Sequence, residues 1–573
     1  MPFLYSSRMF IREKKFANQT KSSIQIVENQ RIGHTTKQRV IRHVGTAHTP
    51  DEIQQLKLIA LVLKDEFENK RITSHGKKSH PHFAASVGDL GVTATNDLVD
   101  ISKIREIARR TLGIHDVYGY LYDRLGFGNL FSRPKQREES ARLLREIVLA
   151  RIAHPVSKRA SVAMLDENFG VSLDLDHVYQ MMDKMDDHFI ERLQLRTQTE
   201  TLKLTGEKLS VLFYDATTLY FESFSEDELK QNGYSKDLKF NQPQVLLALF
   251  VTEGGLPIGY ELFPGATFEG HTLVTVLEKL KSRYQLKDIV FVADRGLFSE
   301  DNLKLLEEKK LKYIVGARIK NMSKKLTDDI LNADNYKPIE LSHHQLKKSE
   351  GKIQQRVAIF DYTETRKLVV HYSSKRAFKD AADRDKSIEK LRKKLKKSKD
   401  PKSLLSSYGY KKFLDIKGKA EIIVNEDKIK EASVWDGLVG LVTNYHDANA
   451  EQLFRYYRGL WQIEESFRIN KHDLKMRPIY HWSPHRVKAH IAICFMSFVC
   501  VRHLEYLVAT QIAKLSPEVI RHTLLHVQAS IIEDTLSKKT WILPSMISTD
   551  AKRIYQILGI KIPLGVTAIK CGA

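Results

Sequence analysis

The sequence predicts an α/β core with helical regions on either side. Three apolar segments in series have the length of β-strands, and turn-type residues separate them. A strand, a helix and a further strand follow, which places helices against a mixed sheet. Spacing typical of amphipathic helices dominates before and after this core. A basic insertion divides the core into two parts.

Changes in composition and periodicity divide the chain into six segments. These are a basic N-terminal segment (1–100), a helical region that permits a DNA-binding helix-turn-helix unit (101–206), the first part of the core (207–319), a β-rich and basic insertion (320–436), the second part of the core (437–510), and C-terminal helices with a tail (511–573).

Local patterns predict the individual elements of the first two segments. Residues 23–29 and 38–44 alternate apolar and polar side chains, as half-buried strands do. Residues 138–153 carry an apolar stripe at helical spacing, and Pro155 ends that helix. Further helices are expected over 161–168 and 175–193.

The core is predicted to contain five strands before the insertion. They cover residues 209–214 (continued by 220–222), 245–252, 257–263, 289–293 and 312–315. Helices are expected over 271–284 and from the capping residue Ser299 to about residue 310. After the insertion, the pattern predicts a strand over 437–444, a long helix over 448–473 and another from Ser483 to 509.

The insertion contains a predicted hairpin and the most charged run of the chain. Residues 357–360 and 367–372 have the pattern of paired strands. The run from Lys375 to Lys402 holds 13 Lys and Arg against 5 Asp and Glu. It predicts an exposed helix over 390–399 in which Lys393 and Lys394 contact phosphate; a merely solvated helix is the alternative.

The charge balance indicates a polyanionic partner. The 573 residues include 92 Lys and Arg against 70 Asp and Glu, a net charge of +22. An excess of this size favours nucleic acid first and an acidic membrane surface second, with a basic but unrelated enzyme as the alternative.

Several classes of protein are disfavoured. Three cysteines, Cys494, Cys500 and Cys571, cannot form a disulfide framework or a zinc site, and their number is typical of a reducing cytoplasm. The most apolar stretch, 489–501, has 13 residues, fewer than the ~20 that a membrane span needs, so we expect a buried helix in a cytoplasmic protein without membrane contact. No motif for a nucleotide or nicotinamide cofactor is present.

Two acidic residues follow predicted strands of the core. Asp215 and Asp294 each come directly after an apolar run. Ligands and metals gather at strand ends of open α/β layers, and neighbouring strands lie about 4.8 Å apart. If the two strands are adjacent, the two carboxylates can share a cation. The alternative is that each Asp caps a turn.

A third carboxylate lies on the predicted helix 448–473. Tyr457, Glu464 and Lys471 are seven residues apart, which is close to two helical turns, so they share one face. Arg468 lies on the same face. This pattern is typical of a metal ligand among phosphate-binding groups; an exposed face with a Glu464–Arg468 ion pair is the alternative.

Three carboxylates suit one chemistry. Two hard divalent cations held by Asp and Glu activate a water or a 3′-hydroxyl and stabilise the leaving oxygen of a phosphodiester. Oxygen-only ligands favour Mg²⁺ or Mn²⁺ over zinc.

These residues resemble the DDE transposases of bacterial insertion sequences, and among them the group with a Y-(2)-R-(3)-E-(6)-K signature. Tyr457, Glu464 and Lys471 match that signature, whereas Leu460 occupies its arginine position. Arg458 or Arg468 is the candidate replacement for that arginine. The segments 233–237, 257–272 and 477–482 and the helix with His490 also resemble one branch of the group, so the resemblance spans roughly residues 140–510.

The resemblance implies an RNase H-like catalytic core, binding to terminal inverted repeats, cleavage at the element ends and strand transfer into target DNA by a dimer or larger assembly. It implies Asp215, Asp294 and Glu464 as ligands of Mg²⁺, with Mn²⁺ as a substitute. The residues expected to contact DNA are Tyr457, Arg468, Lys471, Arg295, Lys236, Arg477, Lys393 and Lys394.

Two other functions fit the same residues. An RNase H-like nuclease would cut DNA without strand transfer, and a domesticated DNA-binding protein would have no activity; the intact acidic triad counts against the second. Related chains begin close to a segment like that after Met9, which favours Met9 over Met1 as the natural start.

Overall fold

The computed structural model describes residues 9–15, 22–32, 35–47, 100–132, 134–206, 210–222, 225–233, 241–267, 289–297, 299–339, 354–397, 412–417 and 421–569, with isolated positions between 53 and 64 and at 272 and 276. The predicted DNA contact Lys236 and almost all of the predicted helix 271–284 lie outside these residues.

A nine-stranded mixed sheet forms the centre of the described structure. Its strands are β5 Val211–Tyr220, β6 Gln244–Thr252, β7 Pro257–Pro264, β8 Val290–Ala293, β9 Lys312–Gly316, β10 Lys337–Pro338, β11 Gln355–Asp361, β12 Lys367–Ser373 and β15 Leu438–Thr443. Their order across the sheet is β10-β11-β12-β15-β9-β8-β5-β6-β7. The pairs β5–β8 and β8–β9 are parallel, and the other neighbours are antiparallel.

The five strands predicted before the insertion are confirmed, with one correction. Asp215 does not end β5, because the strand continues to Tyr220. The β-branched pair Thr217 and Thr218 keeps the ladder with β6 intact, pairing with Leu247 and Leu246. Asp215 therefore lies in the middle of a strand, half-buried between fully buried neighbours.

Helices cover the sheet, and apolar side chains fill the space on both of its faces. One core cluster joins Phe213 and Val292 of the sheet to the helix Pro484–Gln511, and the other joins Tyr214 and Phe291 to the helix Glu300–Glu308. The other α-helices of the described residues are Tyr120–Arg124, Pro134–Ala153, Lys158–Met164, Leu175–Asp183, Asp187–Thr205, Lys324–Leu331, Ser374–Lys397, Glu426–Ser433, Ala450–Arg458, Trp461–Arg468, Pro517–Leu525 and Thr549–Leu558.

The predicted buried helix over 489–501 is confirmed as part of the helix Pro484–Gln511. Ser483 caps it, accepting a hydrogen bond from the backbone N–H of Arg486 at 3.4 Å. Among the described residues, this one helix has the length and composition to cross a membrane, but 89% of its most apolar window is buried inside the protein. Such burial is typical of a core helix.

Two predictions for the flanking regions are corrected. The helix expected over 175–193 is two helices, because Asp186 starts a new one by accepting a hydrogen bond from the Phe189 N–H at 2.7 Å. The region 101–206 also contains a strand, β4 Ile104–Thr111. It pairs with a strand of the C-terminal segment, which is therefore not purely helical.

The sheet that contains β4 is completed by three strands from the end of the chain. These are β16 Gln528–Asp534, β17 Thr540–Pro544 and β18 Thr567–Ile569, and the order is β18-β17-β16-β4. Since β4 and β16 lie more than 400 residues apart in sequence, no local pattern signals their pairing. A third sheet, of β1 Met9–Lys15, β2 Ser22–Ile32 and β3 Thr35–Ala47, confirms the two N-terminal strands predicted.

The described structure of the segment 320–436 differs from the predicted β-rich insertion in where its strands pair and in its helix content. Its hairpin β11–β12 is confirmed, but it joins the central sheet, because β12 pairs with β15. The described residues between β12 and β15 are mostly helical: Ser374–Lys397 and Glu426–Ser433 enclose the short hairpin of β13 Leu414–Lys417 and β14 Glu421–Val424. Among the described residues of this segment, Leu391 and Phe413 belong to a small core cluster separate from those of the central sheet.

The predicted long helix over 448–473 is broken. It consists of Ala450–Arg458, Trp461–Arg468 and a π-helical turn, Ile469–Asp473. The first break falls at Gly459, which packs directly on β5. A Cβ at this position would lie 2.3 Å from Cζ of Phe213. Glycine thus allows the second helical segment to approach the sheet.

We predict that Gly459→Ala lowers the free energy of unfolding by about 1–3 kcal/mol, because overpacking a buried contact forces side chains and backbone to shift. Thermal or denaturant unfolding measures the change. Gly128→Ala is the control, since a Cβ there would meet only Ala141, at 4.0 Å.

The clash explanation also predicts a suppressor. Phe213→Leu removes the ring atom that the new methyl group meets, so the double variant Gly459→Ala/Phe213→Leu should be less destabilised than the two single changes added together. Strictly additive losses would show that this contact is not the cause.

Candidate active site

Parallel pairing of β5 with β8 brings two aspartates to the same place. Tyr214 lies opposite Ala293, the last residue of β8, so Asp215 and Asp294 follow on neighbouring strands. A cleft of about 490 Å³ opens there, and both aspartates line it. The register of the pair, rather than two strand ends, explains why both aspartates line the same cleft.

The helix Trp461–Arg468 adds the third carboxylate. Ile463 and Phe467 are buried and hold one face of this helix on the protein. Glu464 is exposed and lines the same cleft as the two aspartates. The structure thus brings together the three carboxylates singled out in the sequence, from two strands and one helix.

The carboxylates do not stand as close together as we expected. Within the described part of the chain, no group of three or more His, Cys, Asp or Glu side chains has the spacing of a metal site. Like charges repel, and each aspartate instead accepts a hydrogen bond from the next backbone N–H, at 2.8 Å for Asp215 and 2.6 Å for Asp294. Among the described residues, neither Asp294 nor Glu464 forms an ion pair.

Tyr457 lies in the cleft beside the acidic groups. Burial and the nearby charge of Asp294 raise its pKa to about 12. Its hydroxyl packs on the backbone of Gly316 at the end of β9, where a Cβ would come within 2.3 Å of that oxygen. The Tyr457 hydroxyl therefore stays protonated at neutral pH and can donate a hydrogen bond.

Two arginines line the same cleft as the carboxylates. Arg376 starts the helix Ser374–Lys397, and Arg458 ends the helix Ala450–Arg458; both are exposed. The signature position taken by Leu460 also faces the cleft, but it supplies no charge. Two cations at the rim of an acidic cleft can hold phosphate groups near the carboxylates.

Sequence reasoning missed the wall formed by β11 and β12. Gln355 and His371 line the cleft, and His371 Nε2 lies 3.2 Å from the side-chain oxygen of Gln355. Burial, Arg458 and Arg376 lower the pKa of His371 to about 4, so its imidazole is neutral at neutral pH. These residues carry no local motif and reach the cleft only because β12 pairs with β15.

The other predicted DNA contacts lie elsewhere. Arg468 forms ion pairs with Glu465 at 2.7 Å and Asp473 at 3.2 Å, and these hydrogen bonds raise its pKa. Glu464 is thus not its partner. Lys471 lies in the π-helical turn and does not line the cleft.

Four further predicted contacts are also outside the cleft lining. Arg295 follows Asp294 directly and is exposed near Tyr457. Lys393 and Lys394 are exposed on the helix Ser374–Lys397, where Lys393 pairs with Glu389 at 2.5 Å. Arg477 packs over the ring of Tyr220 at 5.2 Å and lines a different cleft.

The donor set suits a hard divalent cation. Carboxylate oxygens of Asp215, Asp294 and Glu464 are the ligand type that Mg²⁺ and Mn²⁺ prefer, and no cysteine lines the cleft within the described residues. One imidazole, His371, is also present, but its Nε2 is engaged by Gln355.

Two protein-family models match this sequence, one near its N-terminus and one over its central region. The transposase DDE domain model covers residues 206–500, just over half of the sequence. The model for the N-terminal domain of IS1634 family transposases covers residues 11–74. No curated protein matches the sequence.

Two solved structures are similar over part of their length. A piggyBac transposase synaptic complex with hairpin DNA is 10% identical, with a TM-score of 0.34 over 72% of this chain and 76% of that chain. A Mos1 transposase paired-end complex with the left transposon end is 15% identical, with a TM-score of 0.14 over 32% of this chain and 60% of that chain.

Family membership rests on the two sequence models, which agree with each other and follow one another along the chain. The protein belongs to the transposase DDE domain family, and it is a DNA transposase of the insertion-sequence type.

Proposed function

We propose that this transposase cleaves DNA at the ends of its element and joins those ends to target DNA, with Asp215, Asp294 and Glu464 holding Mg²⁺. The observation that carries the proposal is the convergence of these three carboxylates on one cleft, where two of them have no ion-pair partner among the described residues. Accumulated negative charge of this kind favours a divalent cation.

The strand order supports an RNase H-like core. In the run β7-β6-β5-β8-β9, three antiparallel strands are followed by two parallel ones. We propose that this run is the RNase H-like part of the sheet and that β10–β12 and β15 extend it.

Each group in the cleft has a distinct task under this proposal. The bound cation supplies Lewis-acid activation of a water or 3′-hydroxyl and stabilises the leaving oxygen. Arg376 and Arg458 hold the phosphates on either side of the scissile bond, and Arg458 takes the role of the arginine that Leu460 replaces. The Tyr457 hydroxyl donates a hydrogen bond to a phosphate oxygen. His371 is neutral, so the positive charge that binds phosphate comes from Arg376 and Arg458.

The remaining DNA contacts and the assembly belong to the same proposal. The basic surface binds the terminal inverted repeats and the target DNA, and a dimer or larger assembly pairs the two ends. Arg295, Arg468, Lys471 and Arg477 contact DNA outside the cleft; Arg468 and Lys471 do so on the segment that carries Glu464.

We predict that Glu464→Gln reduces cleavage and strand transfer to background while binding to end DNA stays within a few-fold of wild type. The amide keeps the shape but removes the charge that holds the cation, whereas phosphate contacts by Lys and Arg dominate affinity. Labelled end DNA, a supercoiled target plasmid and Mg²⁺ or Mn²⁺ measure all three activities in one assay.

Glu465→Gln is the matched control for this experiment. Glu465 lies on the same helix, one residue away, but it pairs with Arg468 and does not line the cleft. It should cut near the wild-type rate. If the Glu464→Gln variant cleaves DNA at the wild-type rate, Glu464 is not part of the active site. If the wild-type protein cleaves DNA but does not join the ends to the target, it is a nuclease. If the wild-type protein neither cleaves nor joins DNA, it is a binding protein.

A second prediction concerns the basic helix Ser374–Lys397. Lys393 and Lys394 are exposed on it, so we expect them to contact phosphate without reading bases. Replacing both with Ala should flatten the dependence of log affinity on log salt by roughly two units, about one for each lost contact. An unchanged slope would show that this helix is only solvated.

A further inference from the structure

A second cleft, of about 640 Å³, lies between the end of the helix Pro134–Ala153 and the segment after the π-helical turn. We call it the basic cleft. Among its described lining residues none is acidic. The cationic residues that line it are Arg151, Lys158, Arg159, Lys475 and Arg477.

Two of these cations are buried. Arg151 and Lys158 are each 4% exposed. Arg151 donates hydrogen bonds to the backbone oxygens of Leu474 and Lys475 at 3.4 and 3.3 Å, but neither cation has a carboxylate partner within the described part of the chain. Burial and the charge of Arg151 lower the pKa of Lys158 to about 7, so the ammonium of Lys158 lacks the stabilisation that an anionic ligand in this open cleft would supply.

Two imidazoles, of His481 and His490, also line the basic cleft, and neither carries a charge that could balance the cations. The Nε2 of His490 lies 3.1 Å from the carbonyl oxygen of Met476, which leaves Nδ1 to accept a hydrogen bond from Lys158 Nζ at 3.5 Å. Burial and the charges of Lys158, Arg151 and Arg486 lower the pKa of His481 to about 3. Both rings are therefore neutral, so the positive charge that a ligand would meet in the basic cleft is that of its Arg and Lys side chains.

The basic cleft is tied to the strand that carries Asp215. Arg477 packs over the ring of Tyr220, the last residue of β5, and Ile479 forms a bridge with Phe221. Tyr220 is the fifth residue after Asp215, and five residue steps are about 17 Å of extended strand. Duplex DNA covers that distance in about five base pairs, at 3.4 Å each.

We propose that the basic cleft binds a backbone phosphate of the element-end DNA duplex, about five base pairs from the phosphate held in the active-site cleft. This inference rests on the proposed function. Arg151 and Lys158 face the phosphate from the buried side of the cleft, and the exposed Arg159 faces it from the rim.

Lys158→Met tests the site because it separates binding from structural support. Methionine fills the same buried volume without an unpaired charge, so the melting temperature should stay the same or rise. Affinity for end DNA should fall about tenfold, and the salt slope should decrease by roughly one unit. Arg159→Met, at an exposed position, should weaken binding in the same direction without touching the core.

Lys488→Met is the matched control. Lys488 has the same charge and lies two residues from His490 on the same helix, but its Nζ pairs with Asp187 at 2.9 Å and it does not line the basic cleft. Its affinity for end DNA should stay within about twofold of wild type.

End DNA with single neutral methylphosphonate substitutions locates the contact. Wild type should bind end DNA more weakly when the neutral group replaces the phosphate at the cleavage position, and also when it replaces a second phosphate about five base pairs away. The Lys158→Met variant should lose affinity only with the first of these two substitutions. A Lys158→Met variant that melts lower or keeps both sensitive positions would overturn the inference. Wild type that does not bind end DNA would overturn the proposed function and this inference with it.

Discussion

The parallel pairing of β5 with β8 is the constraint on which the candidate active site depends. Its register places Asp215 and Asp294 on neighbouring strands at one point of the sheet. The third carboxylate reaches that point only because Gly459 lets its helix pack against Phe213 of β5. The register of β5 with β8 and the absence of a Cβ at position 459 therefore bring three acidic groups from distant parts of the chain to one cleft.

Acidic and basic side chains lie at different positions along β5, an arrangement that suits a polyanionic substrate. Carboxylates line the cleft at Asp215, with Arg376 and Arg458 at its rim. Cations line the basic cleft near Tyr220, where the strand ends. Under the two proposals, a DNA duplex that spans both clefts would meet carboxylates that hold a cation at one point and a phosphate-binding site at the other. The net charge of +22 adds a general attraction for DNA, screened beyond about 10 Å at ordinary salt.

The segment between Asp294 and Glu464 does more than separate two parts of the core. Its strands β11 and β12 extend the central sheet, and Gln355 and His371 on them form a wall of the active-site cleft. Its helix Ser374–Lys397 supplies Arg376 at the cleft and exposed lysines beyond it. The cleft is thus shaped by residues that a description of the acidic triad alone leaves out.

The sequence by itself determined the core strands, the buried helix around His490 and the three carboxylates, because apolar periodicity and an ordered set of motifs are local properties. Tertiary structure alone decided that Asp215 lies inside a strand, that β4 pairs with β16, and that Arg151 and Lys158 are buried without acidic partners among the described residues. Pairing register, close approach of backbones and desolvation of charge all arise from contacts between residues far apart in sequence. A local pattern therefore cannot contain them.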